Sequence, residues 1–91
     1  MPTKARELHL PKAVRAQRRS VQKRLAQLKG SRSQRGWSRE LGVPQQNLSR
    51  YLLGGATPHL DFLIHLGRRE NVNLNWLVLG EGRMFKPSSP R

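Results

Sequence analysis

Helix-breaking residues recur along this 91-residue chain, and they limit its possible folds more than any other feature. Breaks stand at Gly30, Gly42, Gly54-Gly55 and Gly80, and Asn71 is a further candidate stop. The segments between them carry apolar residues at helical spacing, and a chain of this length can enclose only one core. The pattern therefore predicts an all-α domain of five short helices around a single core.

The apolar spacing also predicts which helix faces turn inward. The first helix is expected from Lys12 to Lys29, opened by Pro11, and the fourth is expected to follow the capping pair Thr57-Pro58. A last short helix is expected from Leu74 to Leu79, capped by Asn73. The predicted inward residues are Val14, Val21, Leu25 and Leu28 on the first helix, and Leu60, Leu63, Ile64 and Gly67 on the fourth.

The two ends of the chain lack the apolar periodicity of its middle. Residues 1–11 carry two prolines and little apolar periodicity, which indicates a flexible basic arm. The segment from Glu81 onwards is polar and patternless, and residues 86–91 are expected to form a disordered tail. The folded domain is therefore expected over residues 12–85.

The charge of the chain indicates a polyanionic partner. Lys and Arg number 18 against 5 Asp and Glu, for a formal net charge of +13. Nucleic acid is the favoured partner, although an anionic membrane or an acidic protein would also satisfy the charge. One face of the first helix is strongly basic and is interpreted either as an ordinary solvated face or as a phosphate-contacting surface; it carries Lys12, Arg15, Arg18, Arg19, Lys23 and Arg24.

Several functional classes are disfavoured by the composition. The chain has no cysteine, and its histidines, His9, His59 and His65, are not spaced as metal ligands, so we expect no metal. The few acidic residues are scattered and no Gly-rich phosphate loop is present, so we expect neither an enzyme nor a cofactor. No apolar run suits a membrane span or a signal peptide, and a cytoplasmic protein is expected.

The most informative segment is SRSQRGWSRELGVPQQNLSRYLLGG, residues 31–55. A short helix capped by Ser33 is followed by the turn Gly42-Val43-Pro44 and by a second helix from about Gln45 to Leu53. Gly42 is expected to adopt positive φ, and a small residue is needed at Ser38, where the two helices cross. Such a pair projects its second helix from the body; its inward residues are Trp37, Leu41, Leu48, Tyr51 and Leu52.

This segment resembles the helix-turn-helix of the Cro and CI phage-repressor family, also called the XRE family. The likeness continues into PHLDFLIHLGRRENVNLNWLVLGEG, which resembles the last two helices of CI-type DNA-binding domains, and it covers roughly residues 20–85. Departures are Ser38 in place of the usual alanine, Gly36 within the first motif helix, and Pro44 where a Ser or Thr cap is common. The resemblance implies a five-helix, lambda-repressor-like fold.

The resemblance also implies a function, namely sequence-specific binding of double-stranded DNA by a transcriptional regulator, as a repressor at an operator. The implied base-reading residues are Gln45, Gln46, Asn47 and Arg50. The implied contacts to the DNA backbone come from Ser33, Gln34, Arg35 and Ser49. The resemblance does not give the role of the first helix, and its basic charge alone predicts further backbone contacts by Arg19, Lys23 and Arg24.

Family members usually bind as homodimers on inverted half-sites about one DNA turn apart. We expect the same here, in the cytoplasm at the bacterial nucleoid, as a stand-alone regulator or a fragment of a longer one. The expected dimer surface comprises Leu74, Trp76, Leu77 and Leu79. Two alternatives remain open: a non-specific architectural DNA binder, and a phage regulator or antitoxin that acts through a protein partner.

Overall fold

The structure, a computed structural model, describes residues 11–87. These residues form α1 (Lys12–Lys29), α2 (Gln34–Leu41), α3 (Gln45–Leu53), α4 (Leu60–Glu70) and a short π-helix (Asn75–Leu79). No strand occurs in this range, where the only β pairing is an isolated antiparallel bridge between Val72 and Phe85. The prediction of an all-α, five-helix domain is confirmed. Residues 1–10 of the expected arm and 88–91 of the expected tail lie outside the described residues.

The helices stop at the residues that the sequence predicts. Gly30 follows α1, Gly54 follows α3 and Gly80 follows the π-helix, and Asn71 ends α4 in the left-handed region with φ 57°. Asn73, the predicted cap, lies just before the N-cap Leu74 of the π-helix, and its Oδ1 accepts a hydrogen bond of 3.0 Å from the N–H of Asn75. Local helix stops therefore define this fold.

The core is one cluster to which every helix contributes. Trp37 of α2 is completely buried and confirms the expectation of a core residue. Leu77 is also completely buried, so its expected place on a dimer surface is wrong; its side chain fixes the π-helix to the body instead. The buried apolar residues are Leu25, Leu28, Trp37, Leu41, Leu48, Tyr51, Leu52, Phe62, Leu66, Val72 and Leu77.

The fourth helix differs from its prediction in start and in face. It begins at Leu60 with His59 as the N-cap, two residues later than the Thr57-Pro58 signal suggested. Leu60 and Ile64 are 69% and 44% exposed, whereas Phe62 is buried. The Phe62 ring packs on Tyr51 with centroids 4.7 Å apart. Because residues two apart lie about 200° apart around a helix, this contact turns residues 60 and 64 outward.

The predicted stripe of α1 is correct only in its second half. Leu25 and Leu28 are buried and Val21 packs against the core, but Val14 is 38% exposed. Residues 12–16 are all exposed, because the other helices cover only the later turns of α1. The first turns of this helix therefore present their basic side chains to solvent.

The segment after the π-helix is held by backbone hydrogen bonds, and Lys86, the first residue of the expected tail, takes part in them. The N–H of Asn73 donates to the carbonyl of Met84 at 2.8 Å, and the N–H of Lys86 donates to the carbonyl of Asn71 at 3.0 Å. Phe85 forms the bridge to Val72 between these bonds. The end of α4 leaves backbone groups at 71–73 without helical partners, and residues 84–86 supply them.

Arg24 joins α1 to the π-helix. Its guanidinium donates to the carbonyl of Leu77 at 3.0 Å, to that of Val78 at 3.4 Å and to Oε1 of Gln17 at 3.2 Å. Carbonyls in the last turn of a helix have no helical donor, so a cationic side chain there is stabilising. Arg24 is therefore a structural residue.

Gly42→Ala is expected to destabilise the fold through the backbone alone. Gly42 has φ +73°, and an added Cβ would meet nothing within 4 Å, so the expected cost is about 1 to 2 kcal/mol of left-handed strain. Gly42→Asn should cost less, since asparagine tolerates this region. Urea unfolding measures both, with Gly55→Ala as the control at a position without positive φ. A loss at Gly55→Ala as large as at Gly42→Ala would contradict the assignment.

Arg24→Met is expected to lower the free energy of unfolding by about 1.5 to 3 kcal/mol, because terminal carbonyls of the π-helix lose a charged donor. The neighbouring exposed Lys23 supplies the control, and Lys23→Met should change stability by less than about 0.5 kcal/mol. Both values come from urea unfolding. Equal effects at the two positions would mean that the Arg24 hydrogen bonds contribute nothing.

Candidate nucleic-acid interface

The turn between α2 and α3 is built on one carbonyl. The oxygen of Ser38 accepts hydrogen bonds from the N–H groups of Gly42, at 2.8 Å, and Val43, at 3.1 Å. Gly42 is left-handed, as the sequence predicts, with φ 73° and ψ 30°. Pro44 then precedes α3 with φ −61° and no side-chain cap, and its carbonyl accepts from the N–H groups of Asn47 and Leu48. The chain therefore reverses within three residues, and α3 starts at once.

Apolar side chains on the facing sides of α2 and α3 set the angle between them. Trp37 and Leu41 are buried on α2, and Leu48 and Leu52 are buried on α3. Ser38 lies among them at 7% exposure, with its hydroxyl donating to the carbonyl of Arg35 at 2.9 Å. A small residue with a satisfied hydroxyl thus lies at the helix contact. The face of α3 opposite these leucines is left to solvent.

That outer face carries the residues predicted to read bases. Gln45, Gln46 and Arg50 are exposed, and together with the half-buried Ser49 they line one shallow depression. Asn47 is also exposed but lies outside the depression. Within residues 11–87, no side-chain hydrogen bond involves any of these groups. Their amides and guanidinium are available to a partner.

The other predicted contact residues fall into two groups. Ser33, Gln34 and Arg35 lie together at the start of α2, where Ser33 Oγ accepts from the N–H of Gly36 at 2.9 Å. Arg19 and Lys23 are exposed on α1. Arg24 is the exception, since its guanidinium is engaged with the π-helix. The phosphate contact expected of Arg24 stays a prediction, because its guanidinium already has partners within the fold.

Arg32 is a structural residue that the sequence pattern did not single out. Its guanidinium pairs with Glu40 of α2 and Glu70 of α4, each at 3.0 Å, and donates to the carbonyls of Lys29 and Leu28 at the end of α1. The hydrogen bond that Arg32 donates to Glu70 is the main reason that the pKa of Arg32 lies above its ordinary value, and burial opposes this rise. The signal available in the sequence was a basic residue just past the helix stop at Gly30.

The fourth helix holds the end of α2 through two more contacts. Nε2 of His65 lies 2.6 Å from the carbonyl oxygen of Leu41, and Nε of Arg69 donates to the carbonyl of Glu40 at 3.1 Å. These carbonyls belong to the last turn of α2, where no helical donor is available. His65 is exposed, yet it fixes the helix that leads into the turn.

The described part of the chain shows no grouping suited to metal binding: within residues 11–87, no three His, Cys, Asp or Glu side chains come together. In the same range, no helix combines the length and apolar character needed to cross a bilayer.

Comparison of the sequence with known protein families agrees with the helix-turn-helix described above. The family of the bacteriophage CI repressor helix-turn-helix domain matches residues 20–85, a span that runs from within α1 to the bridge residue Phe85. It is a family of DNA-binding regulators and not an enzyme family. No curated protein and no solved structure matches the chain. Since the family match covers most of the sequence, this chain belongs to the bacteriophage CI repressor helix-turn-helix domain family.

Proposed function

We propose that this protein represses transcription by binding an operator in double-stranded DNA, with α3 in the major groove, in the cytoplasm at the bacterial nucleoid. The observation that carries the proposal is the division of α3 into two faces. Leu48, Tyr51 and Leu52 are buried, while Gln45, Gln46 and Arg50 face solvent on one depression. A helix whose outer face is polar and unpaired suits a groove that admits one helix.

The side chains on this face match the chemistry of base edges. A glutamine amide forms paired hydrogen bonds with N6 and N7 of adenine, and an arginine fork does so with O6 and N7 of guanine. Gln45 and Gln46 lie in the first turn of α3, and Arg50 lies about one turn further along. Asn47 adds a further exposed amide beside them. An operator with A·T pairs next to a G·C pair fits this order.

Contacts to the sugar-phosphate backbone would flank the reading face. Ser33, Gln34 and Arg35 lie at the N-terminal end of α2, where free N–H groups and the helix dipole favour an anion. Ser49 borders the depression on α3, and Arg19 and Lys23 extend the basic surface along α1. These contacts position the protein without distinguishing sequences.

The same proposal includes a homodimer on inverted half-sites. Of the residues expected at its interface, Leu79 is 48% exposed, and Leu74 and Trp76 are half-buried. A dimer surface would therefore centre on Leu79 and on the outer edge of Trp76. Leu77 has no part in it, because its side chain is inside the core.

The main test is selection of duplexes from a random pool, followed by affinity measurements on the enriched duplex and on a scrambled one. Gln45→Ala and Gln46→Ala should each cost about 1 to 3 kcal/mol on the enriched duplex and little on the scrambled one. Gln27→Ala is the matched control, an exposed glutamine on α1, and should change neither affinity. Equal losses on both duplexes would contradict base reading and favour a non-specific architectural binder.

Lys23→Ala tests the backbone contacts in the same assay. It should weaken binding to the enriched and the scrambled duplex alike, and it should reduce the salt slope by about 1. A salt titration of each duplex measures the slope. A loss confined to the enriched duplex would mean that Lys23 does not contact phosphate.

A further inference from the structure

A cavity of about 460 Å³ lies between α1, the loop after α3 and the π-helix, away from the reading face of α3. This volume lies within the range of small-molecule pockets in proteins. Its wall is formed largely by half-buried apolar side chains that are not part of the closed core. These are Val21 of α1, Ala56 and Pro58 of the loop, Leu63 of α4 and Val78 of the π-helix.

Three exposed arginines of α1 line the same cavity. Arg18 and Arg19 follow Arg15 by three and four residues, so both lie next to Arg15 on one face of the helix. The ion pairs formed within residues 11–87 are those of Arg32, and they use none of these guanidiniums. Like charges held this close repel one another, and an anion bound among them would remove that repulsion.

We propose that this cavity binds a small organic anion with an apolar body. The carboxylate or sulfonate of such a ligand pairs with Arg15 and Arg18 at the mouth, while its rings or alkyl chain cover Val21, Pro58 and Leu63. Arg19, which also belongs to the lining, keeps the DNA-backbone contact proposed above. A DNA phosphate would meet the arginines but would leave this apolar wall uncovered. The combination of a cationic mouth and an apolar wall therefore favours an amphiphilic ligand over nucleic acid at this place.

A ligand in the cavity would touch the end of α3. Tyr51, Gly54 and Gly55 belong to the lining, and they stand at the C-terminal end of that helix. Gln22 lines the cavity too, and its Nε2 donates to the carbonyl of Leu52 at 3.0 Å. The cavity therefore adjoins α3, the helix that we propose to enter the major groove. Binding of a ligand in the cavity can still be measured in the absence of DNA.

The probe for this site is anilinonaphthalene sulfonate, and the matched neutral probe is phenylnaphthylamine, which has the same rings without the sulfonate. Fluorescence titration of the full chain should give one sulfonate probe per chain, bound at least about tenfold more tightly than the neutral probe. Both measurements use folded protein in the absence of DNA.

Two substitutions test the arginines. Arg18→Ala and Thr57→Glu, both at exposed positions of the lining, should each weaken the sulfonate probe about tenfold, the second by placing a competing carboxylate beside the arginines. Arg83→Ala removes the same charge outside the cavity and should change nothing. Circular dichroism checks that each variant is folded. If Thr57→Glu does not fold, Arg18→Ala alone tests the arginines.

Three results would overturn the proposal. The first is equal affinity for the charged and the neutral probe, and the second is an equal loss in Arg18→Ala and Arg83→Ala, which would indicate attraction by net charge only. The third is a variant Arg18→Ala that binds random duplex more weakly but binds the sulfonate probe normally. That result would assign the arginines to DNA phosphate.

Discussion

The angle between α2 and α3 is the constraint on which the functional surface depends. The carbonyl of Ser38 accepts hydrogen bonds from the N–H groups of Gly42 and Val43 and thereby sets this angle. The apolar contact between the two helices holds it. α3 has nine residues, too few for a stable helix in isolation, so its conformation comes from Leu48 and the other buried contacts. The positions of Gln45 and Arg50 are therefore consequences of the core and of one turn.

A cluster of charges makes the base of that turn rigid. Arg32 ties the end of α1 to Glu40 of α2 and Glu70 of α4, and it lies over the Trp37 ring with its guanidinium carbon 5.1 Å from the centroid. His65 adds a contact to the last turn of α2. Two of the chain's 5 acidic residues are used in this cluster, in which Glu70 is mostly buried and Glu40 is exposed. The cluster therefore joins three helices at the end of α2 that leads into the turn.

Helix stops were predictable because each is decided by a local residue such as Gly42, and Ser33 likewise marked the start of α2. The start of α4 was not, since the Thr57-Pro58 signal lies two residues before it. The outer face of α3 followed from the same reasoning, since its leucines had to point the other way. Long-range contacts were not predictable. The Phe62 contact with Tyr51 rotates α4, and the pairing of Asn71 with Lys86 orders a segment without any apolar period. Such partners are far apart in sequence, so no local pattern indicates them.

Net charge predicts the class of partner better than it predicts the contacts. Of the 18 basic residues, Arg24 and Arg32 already donate to carbonyls and carboxylates inside the fold. Net charge also does not predict a sequence preference, because every duplex carries the same phosphates. If this protein selects an operator, the selection rests mainly on the neutral amides of Gln45 and Gln46. On the proposed function, their position, rather than the +13 surface, would separate a regulator from a general DNA binder.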